Sequence, residues 1–455
     1  MSSAEMYRIL LKRLKKAESM TGKPLLTYIL LKYIIPLVGL VQGKGLKSSL
    51  GKLGLDVKTP TDIKILSNDI RMLIENFEGL ISSVEKSEPI VWAEWSVTWE
   101  LIRSFGVQPV CPERAILFGL GVNKNYGIKF LEESEKMGYS NETCSCQKGA
   151  IGAYMLGQLP QPALLVASSH PCDSGVSIYQ TLQYLTGAPL YVLDTPYWRT
   201  ESDLKYHAGV FRGLIEFCED HLGRKFDWDR FTAAIEEMNR ANYYLRETCE
   251  MGRAVPLPYY IRKLDAMWFS QKESPGTSLA TQNAKMIYDK AKKNFDKGKG
   301  VAKKEKIRVI WWDVPVGFAD ISSWMTEQYG AVVIADYIGL HLMDQIDTSS
   351  RESILEGVAR AHIYHGMTRQ CHGPAEFVTA ELETLINEYS PDCFMFSRHV
   401  GCKHNWAIGK IIRDVCRRTG LPSLFLTTDI FDPRLASRQQ IKQEISEFFK
   451  AEGLA

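Results

Sequence analysis

The chain has 455 residues, 45% hydrophobic and 24% charged, which is globular composition, excludes a disordered chain and exceeds one small domain. Lys plus Arg (55) nearly balances Asp plus Glu (53), and the formal charge of +2 provides no general steering field for nucleic acid. The ten cysteines form no short-loop disulfide framework and no signal peptide is evident, so the expectation is a cytoplasmic protein with reduced thiols.

Residues 1–88 read as a helical arm, cap or subunit contact. Segment 4–17 is charged and amphipathic, and 60–77 carries Ile63, Ile65, Leu66, Ile70, Leu73, Ile74 and Phe77 at a helical rhythm. The apolar stretch 25–41 contains Lys32 and Pro36 and falls short of the roughly 20 residues of a membrane span. It reads as a buried or partner-facing helix, and no transmembrane span is expected.

Residues 89–200 predict a first α/β domain. Helix 99–105 ends at Gly106 and is followed by a short strand at 107–110, helices at 130–138 and 143–156, a strongly apolar strand at 163–169, a helix at 175–185 and a strand at 189–194. Strands alternating with helices imply parallel pairing. Residues 201–304 predict a largely helical connection, and the basic run at 285–306 reads as a solvated face. Residues 305–455 repeat the α/β pattern, with strands at 307–312, 331–336, 392–397 and 424–428 and helices at 377–388, 405–419 and 440–449. The expected architecture is two parallel-sheet α/β domains with helical N-terminal and interdomain additions. Neither a GxGxxG fingerprint nor a Walker loop is present, which weakens a dinucleotide or P-loop ATPase reading.

Three cysteine segments carry the chemistry: Asn141-Glu-Thr-Cys144-Ser-Cys146, Ser169-His170-Pro171-Cys172-Asp173 and Arg398-His399-Val-Gly401-Cys402-Lys403-His404. The second and third share one plan, an apolar strand, a short loop holding the cysteine, then a helix. Open α/β sheets bind ligands outside the carboxyl ends of their strands, and a helix start favours a thiolate. Cys144 also stands at a predicted helix start, so three thiolates can meet in an interdomain cleft. Three soft ligands suit an iron–sulfur cluster with one open iron or a zinc ion with an open position, and spacing does not choose between these, a lone catalytic thiol and ordinary buried cysteines. Cys146 is an alternative to Cys144. Cys393 and Cys416 read as packing residues, Cys218 and Cys249 fall in helical segments without a paired motif, and Cys111 and Cys371 carry no clear pattern.

These segments resemble the 2-hydroxyacyl-CoA dehydratase and benzoyl-CoA reductase family over about residues 91–449. The resemblance is carried in order by WELIRSFGVQPVCPE (99–113), GYSNETCSCQKGAIGAYMLG (138–157), LLVASSHPCDS (164–174), APLYVLDTPY (188–197) and GCKHNWAIGKIIRDVCRRTGLPSLFLTTDIFDPR (401–434). It implies two flavodoxin-like domains and one [4Fe-4S] cluster per chain held by Cys144, Cys172 and Cys402. It also implies a CoA thioester substrate, a related smaller subunit, and a separate ATP-hydrolysing iron–sulfur activator that supplies a low-potential electron. The expected reaction is one-electron reduction of the thioester to a ketyl radical anion, which permits loss of a 2-hydroxyl group. Reduction of an aromatic acyl-CoA is the alternative, since the TTDIFDPR stretch is at least as close to a larger reductase subunit. A double-cubane reductase is a further one, left open by Cys111, Cys146 and Cys371, and a noncatalytic electron-transfer scaffold is another.

Around the ligands, Glu94, Ser96 and Glu100 are candidate proton-handling or orienting groups. His399, with His170 and His404, is a candidate donor to a substrate oxygen or cluster sulfide. Lys148 and Lys403 are candidates to balance cluster or CoA charge, with solvated lysines as the plainer reading. Trp92, Trp95 and Trp99 are candidates for an acyl wall or for ordinary core. Asp429 and Asp432 are expected to fix a loop at a strand end.

Overall fold

The computed structural model describes residues 3–21, 59–116, 124–261, 264, 272, 274–314, 316 and 321–455. The apolar stretch 25–41 lies outside the described residues. Two four-stranded sheets organise the chain. The first holds β1 (Ile90–Ala93), β2 (Gln108–Val110), β3 (Leu164–Ser168) and β4 (Leu190–Leu193) in the order β2-β1-β3-β4. The second holds β5 (Ile307–Trp312), β6 (Ala331–Ala335), β7 (Cys393–His399) and β8 (Ser423–Thr428) in the order β6-β5-β7-β8. Every pairing is parallel, with Val91 opposite Leu164 in the first sheet and Val309 opposite Cys393 in the second. Both sheets therefore follow the second-first-third-fourth order of flavodoxin-like folds, as the sequence resemblance implied.

The strands read as continuous apolar runs because helices cover both sheet faces. In the first sheet Val91, Ala93, Leu164 and Val166 enter one core, while their neighbours Ile90, Trp92, Leu165 and Ala167 enter the other. The second sheet is buried throughout β5 and β6. The helix Pro60–Glu85 is more than an appended arm. A Thr59–Asp62 capping box opens it, the Asn283 amide donates to Asp69 at 2.7 Å, and Lys290 pairs with Asp62. Its Ile65 and Met72 belong to the core of the second sheet, its Phe77 and Leu80 to that of the first.

This topology fixes where a ligand can sit. In each sheet the strand order reverses between the first and third strands, and a crevice opens outside their carboxyl ends. The residues that follow β1 and β3 begin with Glu94 and lead to Cys172. Those that follow β5 and β7 begin with Asp313 and lead to Cys402. The two domains thus repeat one arrangement, a carboxylate after the first strand and a cysteine after the third. Among the described residues no helix is long and apolar enough to cross a membrane.

Candidate functional site

Cys144, Cys172 and Cys402 are each the N-cap residue of a helix: Ser145–Met155, Asp173–Thr186 and Lys403–Thr419. The first two come from one domain and the third from the other, and all three line one interdomain cavity of about 490 Å³. Close approach of the domains is built into the backbone. A Cβ on Gly401 would lie 2.2 Å from the Cys144 Cα, so only glycine lets the Cys402 loop rest on the Cys144 loop. Cys172 is within electrostatic reach of both.

The helix starts act on these thiols, but not as the sequence led us to expect. N–H groups of Gln147 and Cys146 favour the Cys144 thiolate, and those of Gly175 and Ser174 favour that of Cys172. Burial outweighs them. It pushes the Cys172 thiol up to about 12 and raises Cys144 and Cys402 as well. A helix dipole contributes at most about 2 kcal/mol, too little to offset removal of an anion from water. A bound metal charge does offset it, because coordination deprotonates a thiol outright. The donor set therefore fits an iron–sulfur cluster: three soft sulfur ligands around a buried, largely apolar cavity. Among the described residues no three His, Cys, Asp or Glu side chains converge closely enough for a single ion.

Three further cysteines line the same cavity, Cys111, Cys146 and Cys371. The Cys111 thiol donates to Glu113 Oε2 at 3.1 Å, and that of Cys146 to the Glu113 carbonyl at 3.6 Å. Glu113 also accepts from the Tyr179 hydroxyl at 3.2 Å, while its other oxygen is buried without a partner. Burial raises its pKa to about 6. Sequence patterns pointed to neither Glu113 nor Asp313 as a site residue, although each lines the cavity. The signal for Asp313 was its place directly after a strong strand. It holds a left-handed φ of 100°, rare for a side-chain-bearing residue. The Val314 N–H donates to it at 2.6 Å, as does the Asn405 amide, and burial raises its pKa to about 6.

The candidate catalytic residues separate into two groups. Glu94 is 1% exposed and accepts from both the N–H and the hydroxyl of Ser96. Its Oε1 faces Gly175, beside Cys172, and burial raises its pKa to about 8. His399 lines the cysteine cavity with both ring nitrogens engaged. Nε2–H donates to the Val314 carbonyl at 2.8 Å, and Nδ1 accepts from the Thr428 hydroxyl at 3.2 Å. Ser96 and Glu100 instead line a second, smaller cavity of about 80 Å³, together with Trp99. Of the three tryptophans only Trp95 lines the cysteine cavity; Trp92 packs edge-on against Tyr154 in the core. His170, His404 and Lys403 line the cysteine cavity as well. Lys148 does not and is not solvated either: it is fully buried, bound to Glu135 at 3.0 Å. Asp429 fixes its loop as expected, accepting from the N–H groups of Phe431 and Asp432 and also from Ser145 of the first domain.

Comparison with known proteins adds three findings. A family model described as 2-hydroxyglutaryl-CoA dehydratase, D-component, matches residues 94–451. The chain is 23% identical over 413 residues to one subunit of the benzoyl-CoA reductase from Thauera aromatica, covering 83% of this chain and 92% of that protein. It is 23% identical over 117 residues to the alpha subunit of (R)-2-hydroxyglutaryl-CoA dehydratase from Acidaminococcus fermentans, covering 25% of this chain and 24% of that protein. The matched span contains both sheet crevices, their carboxylates and all three capping cysteines, and the chain belongs to the 2-hydroxyglutaryl-CoA dehydratase D-component family.

Proposed function

We propose that this chain is the iron–sulfur subunit of an enzyme that reduces a CoA thioester by one electron, of the (R)-2-hydroxyacyl-CoA dehydratase type. The observation that carries the reading is the meeting of three helix-capping cysteines, from two domains, at one buried cavity. Cys144, Cys172 and Cys402 hold one [4Fe-4S] cluster. When bound, that group supplies a low-potential electron to the thioester carbonyl. The electron comes from a separate ATP-hydrolysing iron–sulfur activator, and a related smaller subunit completes the enzyme.

The chain's own residues do the rest. Apolar Trp95, Ile430 and Phe431 line the cavity and exclude water from the acyl group. Glu94 carries a proton at neutral pH, since burial lifts its pKa to about 8. Ser96 donates twice to Oε2, so that proton rests on Oε1, on the Cys172 side. There it is placed to serve the leaving hydroxyl or the reduced acyl group. Ser96 orients Glu94. Glu100 lies in the second cavity, where burial raises its pKa above the ordinary carboxylate value. His399 orients the loop after β5 through the Val314 carbonyl rather than donating to substrate.

A second reading, aromatic acyl-CoA reduction, is favoured by the relative that covers 83% of the chain. A third reading, a double-cubane reductase, has in its favour the presence of Cys111, Cys146 and Cys371 at the same cavity. One experiment separates these. The anaerobically reconstituted chain is titrated with benzoyl-CoA, several (R)-2-hydroxyacyl-CoAs and free CoA while the cluster is followed by EPR and Mössbauer spectroscopy. Perturbation by a hydroxyacyl-CoA supports the dehydratase and by benzoyl-CoA the reductase. About eight irons per chain, in place of four, identifies the larger cluster. No perturbation by any thioester in the complete complex overturns the proposal.

A further inference from the structure

The buried Lys148 has a use that a charge near a cluster would not give it. Its ammonium donates to Glu135 Oε1 at 3.0 Å and to the carbonyls of Ser140 and Asn141 at 3.2 and 3.3 Å. Those carbonyls belong to the chain just before Cys144. Glu135 is gripped from the other side by Arg434 of the second domain, through two bonds of 2.7 and 3.2 Å. Arg434 is itself oriented by a fork onto the buried Asp432. The row of charges therefore runs from the second domain to the loop of the first cysteine. Beside it, Ser145 bonds Asp429 of the second domain, and the Gly401 backbone rests on Cys144.

We infer that Arg434, Glu135 and Lys148 form an interdomain clasp that positions Cys144, rather than Cys146, as the ligand facing Cys402. The inference rests on the cluster reading above. Arg434 is about one-third exposed, so its pair with Glu135 adds little net stability, but the two-bond fork imposes a definite geometry. Here the need for geometry is plain. Cys144 and Cys146 both line the cavity, two residues apart, and a small slide of the loop would exchange them. Lys148 prevents that slide by holding the two carbonyls upstream, and Arg434 ties the same anchor to the domain that carries Cys402. The planar guanidinium forks onto both oxygens of Glu135 while its Nε bonds Asp432, a fixed geometry that a lysine's point charge does not reproduce.

The test uses the full chain, reconstituted anaerobically with ferrous iron and sulfide, in four forms: wild type, Glu135→Gln, Arg434→Gln and Arg434→Lys. Arg212→Gln, which removes an exposed ion pair with Glu352, is the control. Wild type and control are expected to lose iron to a chelator at the same rate. Glu135→Gln and Arg434→Gln lose it faster, on the order of tenfold, the size of effect of groups that orient metal ligands. Their reduced EPR signal broadens, and adding Cys146→Ser accelerates loss further only in these backgrounds. Arg434→Lys lies between. Equal chelator kinetics and an unchanged EPR line in the clasp variants overturn the inference. If the wild type takes up no cluster, the cluster reading falls, and the clasp is judged on the metal-free chain by hydrogen exchange. Faster exchange of the amides at 140–148 in the clasp variants supports it, and unchanged exchange overturns it.

Discussion

At the scale of single residues, the three helix-capping cysteines were legible because each stands where a strand or loop gives way to a helix. Serine substitutions at Cys144, Cys172 or Cys402 are expected to lower iron and sulfide content and alter the Mössbauer spectrum. Cys146→Ser is expected to retain the cluster, since its thiol is turned to the Glu113 carbonyl. What the sequence hid were the acids. Asp313 and Glu113 owe their character to burial and to partners remote in the chain, Asn405 and Tyr179, which no local pattern displays. Glu94 offers a test by pH. Folded, it keeps its proton to about pH 8, whereas an unfolded glutamate loses it near about 4.3. Between those values the folded state binds more protons, so its contribution to stability falls as pH rises. Urea unfolding should therefore show a decline from about pH 5 to about pH 8 that is shallower in Glu94→Gln, by up to about 1.4 kcal/mol per pH unit.

At the scale of elements, most strands and helices follow from apolar runs and helical rhythm, and β5 from 307 to 312 agrees at both ends. The central strand β1 escaped. Its four residues are short, and Trp92, Trp95 and Trp99 have a spacing that suggests a helix, although they lie on a strand, a loop and a helix in turn. The helix Arg351–Tyr364 also escaped; its buried His362 and short apolar stripe gave a weak pattern. The contact of two loops at Gly401 was not readable at all, because it joins residues 257 positions apart. It yields a sharp prediction. Gly401→Ala forces a methyl group into the Cys144 backbone, which cannot rotate away as a side chain would. The expected cost is about 1–3 kcal/mol in urea unfolding, typical of overpacking, with loss of cluster retention in the protein that remains folded.

At the scale of the whole molecule, two parallel-sheet domains were foreseen from the repeated alternation of strands and helices, their shared flavodoxin-like order from the family resemblance, and the meeting of their crevices only through the cysteines. The helix Pro60–Glu85 braces both domains from outside the matched family span. Lys290→Met, which removes the ammonium from the buried Asp62 while its capping-box bonds to Thr59 remain, is expected to destabilise the chain by about 1–3 kcal/mol in urea unfolding. The pure chain is expected to show no sustained ATP turnover, and activity should appear only on adding the partner subunit and activator. Turnover by the chain alone would assign the energy-coupling step differently. The division of the proposed ligands between domains also sets a schedule for synthesis. Cys172 and Cys402 lie 230 residues apart, so at 5–20 residues per second the ribosome delivers the third ligand roughly 10 to 50 seconds after the second. During that interval the first two thiols lack the second-domain residues that line their cavity. An oxidant met on the ribosome can therefore spoil the centre before it exists, and the protection the finished fold gives its sulfurs begins only with release.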